Sequence, residues 1–221
     1  MSYTGEVEAG GPPDVRDLPG LTITKVAVGP YDNNAYLLRC AATGRQLLVD
    51  AANEASRLLR LVGDAPLDRI VTTHRHQDHW EALAEVAAAT GAPVTAHPFD
   101  AEALPVPVTA PVEHGDVITF GEVALEVVHL RGHTPGSIAL LYDADGSASG
   151  QPHLFTGDSL FPGGVGNTWG DPTRFRSLLD DVEERVFARL PDSTWFYPGH
   201  GKDSTLGHER PALPEWRARG W

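Results

Sequence analysis

The chain has 221 residues, 41% of them apolar and 21% charged, which excludes a disordered polymer and gives room for one core-forming domain. It carries 17 Lys and Arg against 30 Asp and Glu, a formal charge of −13 that repels phosphate backbones and argues against a nucleic-acid partner. The single cysteine, Cys40, excludes an intrachain disulfide framework and a cysteine zinc finger.

Residues 1–20 are rich in Gly, Pro and acid, and are expected to form a flexible arm. Met1 to Gly11 lacks the basic-then-apolar order of a signal peptide, so a cytoplasmic location is expected. With no repeat or low-complexity linker further on, residues 21–221 are expected to form a single domain. Leu21–Val28 alternates apolar and polar residues, as a half-buried strand does. Tyr31 to Asn34 reads as a turn, followed by strands over Ala35–Cys40 and Leu47–Val49. Asn53 is a candidate N-cap for a helix reaching Val62. A short apolar strand, Arg69–Thr72, precedes an Ala-rich helix over Trp80–Thr90 that Gly91 stops. Glu85 breaks that apolar run, which is too short to span a bilayer, so no membrane partner is expected.

Pro93–Ala96 is a short strand, and Val117–Phe120 with Val123–Leu130 forms a hairpin about Gly121. Strands follow over Ser137–Tyr142 and His153–Thr156. Asp171-Pro172 then caps a helix with Phe175, Leu178, Leu179, Val182, Val186 and Leu190 on one face, and a last strand runs over Thr194–Tyr197. Strands first, then strands interleaved with helices, predict two sheets with helices outside, a layered α/β fold.

The strongest local signal is Thr73-His74-Arg75-His76-Gln77-Asp78-His79, directly after an apolar strand. In an extended segment His74 and His76 face the same way, whereas Asp78 and His79 diverge unless the chain turns into the following helix. That geometry suits two metals side by side better than one, and all-N/O ligation fits Zn²⁺, Fe²⁺ or Mn²⁺. Four such residues are too few for two sites. Three more stand on Gly/Pro turns after strands: His133 in Gly132-His133-Thr134-Pro135-Gly136, Asp158 in Thr156-Gly157-Asp158-Ser159, and His200 in Pro198-Gly199-His200-Gly201. Each glycine permits a tight turn that aims one side chain inward.

Asn33-Asn34-Ala35-Tyr36, the His74–His79 loop, Gly132–Ser137, Gly157–Phe161 and Tyr197–Gly201, in this order, resemble the metallo-β-lactamase superfamily, within it the glyoxalase II-like (hydroxyacylglutathione hydrolase-like) branch. The resemblance covers nearly all the chain after residue 20 and implies a four-layer αββα sandwich. It implies that His74, His76 and His133 hold a first divalent metal, that Asp78, His79 and His200 hold a second, and that Asp158 bridges them. Zinc is the first choice, with iron or manganese as alternatives. The implied chemistry is hydrolysis of a small-molecule thioester or ester by a metal-bridging hydroxide, with Asp78 also orienting that hydroxide.

Asp50, ending the strand Leu47–Val49, is the candidate partner for a ligating imidazole. His129 reads as a strand-face residue, and His97, His114, His153 and His208 as surface or turn residues. Cys40 is expected as a small core residue. Trp80, Phe161 and Trp169 flank the motif loops and are candidate cleft walls.

The chain departs from the branch at three places. Trp80 follows His79 where a small residue is usual. Phe161 to Thr168 has no Arg where a Cys-Gly-Arg stretch is typical. After His200 glyoxalase II continues into a helical domain with basic residues for glutathione, whereas this chain ends at Trp221. A glutathione thioester is therefore not the expected substrate, which leaves a thioester of another low-molecular-weight thiol or a different ester. The same residues also fit two other readings: a mononuclear iron persulfide dioxygenase-like enzyme using part of the ligand set, and a catalytically silent metal-binding protein. β-Lactamase and nuclease activities are not expected.

Overall fold

The structure, a computed structural model, describes residues 3–143 and 151–220. The first sheet runs in chain order: β1 (Asp14–Asp17), β2 (Leu21–Val28), β3 (Asn33–Cys40), β4 (Gln46–Val49), β5 (Leu67–Val71) and β6 (Val94–Thr95). The pairs from β1 to β4 are antiparallel. The β4–β5 and β5–β6 pairs are parallel, their returns made through helices α1 (Ala55–Val62) and α2 (Leu83–Thr90). A short helix, α3 (Pro98–Ala101), follows β6.

The second sheet begins with an antiparallel meander, β7 (Val117–Phe120), β8 (Val123–His129), β9 (Ile138–Tyr142) and β10 (His153–Gly157). A small hairpin, β11 (Leu160–Phe161) and β12 (Gly164–Val165), and helix α4 (Pro172–Val182) precede β13 (Trp195–Pro198), which pairs parallel to β10. Strand β14 (Ser204–Thr205) closes that edge, and α5 (Leu206–Glu209) and α6 (Leu213–Arg219) follow.

Alternation along the strands explains the layering. In β2, Leu21 and Ile23 face the second sheet, where they meet Phe120, Leu125, Leu140 and Phe155 in the central core. Val26 and Val28 face the other way, onto a layer made with Leu58 and Val62 of α1 and Leu83 and Val86 of α2. On the far side, Leu178, Leu179 and Val182 of α4 and Trp216 of α6 cover Val128, Ala139 and Leu154. The result is helices, sheet, sheet, helices: the αββα sandwich that the resemblance implied, and the layered α/β arrangement read from the pattern. Among the described residues no helix is long and apolar enough to cross a membrane.

Several elements differ from expectation. Residues 14–17, expected within a flexible arm, form edge strand β1, with Asp14 opposite Lys25 and Asp17 opposite Thr22. The Asp14 carboxylate accepts from the backbone N–H groups of Thr4 (2.8 Å) and Gly5 (2.9 Å), which ties down the residues before it. The Gly and Pro density hid a strand of only four residues, and Met1 and Ser2 of the expected arm lie outside the described residues. Helix α1 starts at Ala55, because Asn53 spends its side-chain oxygen on the N–H of Glu54 (2.7 Å), and Glu54 stands at φ 51°. Helix α2 starts at Leu83, since residues 77–79 are first wound into a tight 3-10 turn. His97 and His153, expected at the surface, are buried. His97 stacks on His129 at 4.0 Å between ring centres, and the Nδ1 of His153 meets the Tyr197 hydroxyl at 2.9 Å.

Candidate metal centre

All seven candidate ligands gather at one end of the sandwich, where strand ends of both sheets meet. Past the end of β5 the chain runs through His74 and His76 and turns at residues 77–79. That turn brings Asp78 and His79 back beside the first two, the condition the sequence spacing required. The second sheet supplies His133 between β8 and β9, Asp158 after β10 and His200 after β13. Three sets of ligand atoms lie within 4.8 Å of one another: His74–His76–His133, His74–His79–Asp158 and Asp78–His79–His200.

Asp158 stands between the outer two sets. Its Oδ1 lies 3.3 Å from Nε2 of His79, and its Oδ2 lies 3.6 Å from Nε2 of both His133 and His200. On the His200 side, Nε2 of His200 is 3.3 Å from both Asp78 Oδ2 and His79 Nε2. Gly199 makes this approach possible. A Cβ there would strike Oδ1 of Asp158 and come within 2.7 Å of Cε1 of His79.

Four of the five imidazoles turn their Nδ1 away from the centre. His79 donates to Asp50 Oδ2 (2.8 Å), His133 to the carbonyl of Asn167 (2.9 Å) and His200 to that of Tyr31 (2.9 Å). His74 donates to the Thr73 hydroxyl (3.1 Å), which in turn donates to Asp50 (2.8 Å). Such bonds fix the tautomer and aim Nε2 inward, as at metal sites. The Nε2 atoms of His74 and His133 are buried with no hydrogen-bond partner, and a cation is the partner that would satisfy them.

The electrostatics agree. Burial, then the neighbouring imidazoles, hold His74 well below the usual histidine range, and burial pushes His133 down to about 4. Both are therefore neutral donors. Burial works against the charged form of Asp78, but the His200 hydrogen bond, His79 and Asn33 outweigh it and keep the carboxyl below its usual value. Asp158 is likewise lowered against its burial, chiefly by His79. Burial alone would pull His79 down, yet Asp158 and Asp50 hold it well above its usual value. His79 held this way carries a proton that an incoming cation would have to displace, while the ionised carboxylates attract that cation.

Asp50 sits in its expected role, at a left-handed φ of 56°, and its Oδ1 also accepts from the N–H of Thr73 at 2.7 Å. The candidate cleft walls divide. Trp169 is 55% exposed, with its ring 5.2 Å from that of His76 and 5.4 Å from that of His133, while the Arg174 guanidinium lies 4.7 Å over it. Phe161 approaches His200 at 6.5 Å. Trp80 does not join them: it packs on the α1–α2 layer and donates its indole N–H to the carbonyl of Arg75 (2.8 Å). A cavity of about 400 Å³, lined by Arg75, Thr134, Pro135, Thr173, Arg174 and Ser177, adjoins the loops of His74, His76 and His133.

A family profile described as the Metallo-beta-lactamase superfamily matches residues 28–200. The chain belongs to that superfamily.

Among its metallo-β-lactamase superfamily relatives is a hydroxyacylglutathione hydrolase of Fuscovulum blasticum, 37% identical over 171 residues, which cover 76% of this chain and 62% of the relative. The chain thus spans less than two thirds of that protein's length. Among solved structures, TTHA1623 in a di-iron-bound form is 35% identical with a TM-score of 0.69, covering 84% of this chain and 96% of its own. ETHE1 from Myxococcus xanthus is 27% identical with a TM-score of 0.76, covering 89% and 84%.

Sequence reasoning quoted Asn33 and Thr73 within motifs but gave them no role, and it missed Asp100. Asn33, read as a turn residue, opens β3 and donates from Nδ2 to Asp78 Oδ2 at 2.8 Å. Asp100 is buried and accepts from the N–H groups of Arg75 (3.1 Å) and Gly136 (2.9 Å) and from the Thr134 hydroxyl, which joins the His74 and His133 loops. No periodicity marks such residues. The one available signal was the pair Asn33-Asn34 at the start of an apolar strand, already among the motifs of the resemblance.

Proposed function

We propose that this chain is a dinuclear metal-dependent hydrolase of a small thioester or ester. The observation that carries the reading is the place of Asp158, whose two oxygens face different histidines of the cluster. On this reading His74, His76 and His133 would hold one cation and Asp78, His79 and His200 the other, with Asp158 placed to serve both. Zinc is the first choice, with iron or manganese as alternatives. Bound divalent cations supply an activated water and a Lewis acid for the carbonyl oxygen.

The side chains do the rest. Asp78, ionised and anchored by Asn33 on one oxygen, accepts a hydrogen bond from the attacking water and sets its direction. The buried His74 and His79 form the floor, while the partly exposed His76, Asp78 and His200 leave one side open to substrate. An open position of this kind separates a catalytic site from a closed structural one. Trp169 and Phe161 offer apolar walls for the acyl group. The similarity to a hydroxyacylglutathione hydrolase supports the thioester class.

The test is elemental analysis of the purified protein beside thiol release from a panel of acyl thioesters. Two metals per chain and thiol release are expected, with both Asp158→Ala and His76→Ala losing turnover. Near-normal turnover in either variant refutes the site. One iron per chain with oxygen uptake on a persulfide would establish a dioxygenase instead. Tightly held metal without turnover of any substrate would establish a silent metal-binding protein.

A further inference from the structure

The chain has two lysines, and one of them, Lys25, is 0% exposed. The alternation Leu21, Ile23, Lys25 along β2 sends its side chain between the sheets, towards the turn that follows β13. Its three ammonium hydrogens have three acceptors: the carbonyls of Gly5 (2.7 Å) and Gly201 (2.8 Å), and Asp203 Oδ1 (2.6 Å). The other oxygen of Asp203 accepts from the Tyr3 hydroxyl (2.6 Å) and the Trp195 indole (3.0 Å). Desolvating such a pair is costly, and an apolar pair of similar volume is often as stable, so stability is weak grounds for its presence.

What the pair grips is specific. Gly201 adjoins His200, and its carbonyl also accepts from Asn34 Nδ2 at 2.9 Å. His200 itself is 27% exposed and held from behind by the Tyr31 carbonyl. The location of its Nε2 therefore depends on how firmly the Pro198–Asp203 turn is fixed. We propose that Lys25 is a positioning residue for His200: its buried ammonium, caged with Asp203, Gly5 and Tyr3, fixes that turn and so sets the affinity of one cation site. Among the described residues no hydrogen bond links the site of His74, His76 and His133 to this cage, and that site keeps its affinity. The inference rests on the reading of His200 as a ligand.

The test uses the full chain and Zn²⁺ alone, titrated against a competing chromogenic chelator. A cooperative thermal melt shows which variants fold. In Lys25→Met the weaker-held equivalent is expected to lose about tenfold or more in affinity, with the tighter one unchanged within about twofold. Should Lys25→Met not fold, Lys25→Met/Asp203→Leu, which removes both charges together, carries the test with the same expectation. Wild-type affinity at both sites in the folded variant overturns the proposal, as does equal weakening of both. His200→Ala separates the two levels. If it keeps both equivalents, the ligand reading falls and the inference with it. If it loses one equivalent while the Lys25 variants lose none, the inference alone falls.

Discussion

Asp50→Asn changes one oxygen to an amide nitrogen at a buried carboxylate that accepts three hydrogen bonds. Oδ1 takes the Thr73 N–H at 2.7 Å, and Oδ2 takes the Thr73 hydroxyl and His79 Nδ1, both at 2.8 Å. An asparagine has two orientations here, and both fail. With its oxygen toward His79, its NH₂ confronts the Thr73 N–H, donor against donor. With its oxygen toward the Thr73 N–H, its NH₂ confronts Nδ1–H of His79. Relief then requires moving the imidazole proton to Nε2, which removes the lone pair a cation needs. A buried donor left unpaired costs about 1–3 kcal/mol. At about 1.4 kcal/mol per tenfold, that is roughly 5- to 150-fold in metal affinity. Because Thr73 also receives His74, both proposed cation sites are expected to feel the change. Competition against a chromogenic chelator at fixed pH reads the affinities, and a thermal melt confirms folding. Folded Asp50→Asn protein holding both cations within about twofold of wild type would refute the reasoning.

Burial, then the Arg16 guanidinium, lower His153 to about 3. Its unfolded value is about 6.5, so as pH falls from about 6.5 towards 3 the unfolded chain takes up a proton that the native chain refuses, and stability is lost across that window. Between pH 7 and pH 5 the loss is about 2 kcal/mol. His153→Phe should remove that share of the pH dependence. Denaturant midpoints at both pH values check it, and an unchanged pH slope would contradict it. Gly199→Ala should give a folded chain with strongly reduced metal content, since its methyl collides with Asp158 and His79. Elemental analysis at the wild-type level would count against the geometry.

The elements with strict alternation or a full apolar face were legible from sequence. Leu21–Val28 is read to its ends, and the cap and apolar face of Asp171–Val182 are as expected. The short pieces β1, β11, β12 and β14 were not, because none of them holds an apolar run of more than two residues. At the site, chemistry-bearing types announced themselves: histidines and aspartates beside glycine turns at strand ends. Their supports did not. Asn33 sits 45 residues from Asp78 and Lys25 sits 178 from Asp203, and nothing local in a sequence encodes partners so distant. Burial reversed the readings of His97 and His153 for the same reason, since their neighbours come from other strands.

The candidate ligands divide between the two sheets: His74, His76, Asp78 and His79 follow β5 of the first, while His133, Asp158 and His200 belong to the second. Any ion seated among them is thus a rivet through the end of the sandwich. Occupancy at a hundred times the dissociation constant would add about 2.7 kcal/mol to the clamped form. Availability of the ion in the medium would then govern how long each copy survives, as well as how fast it works.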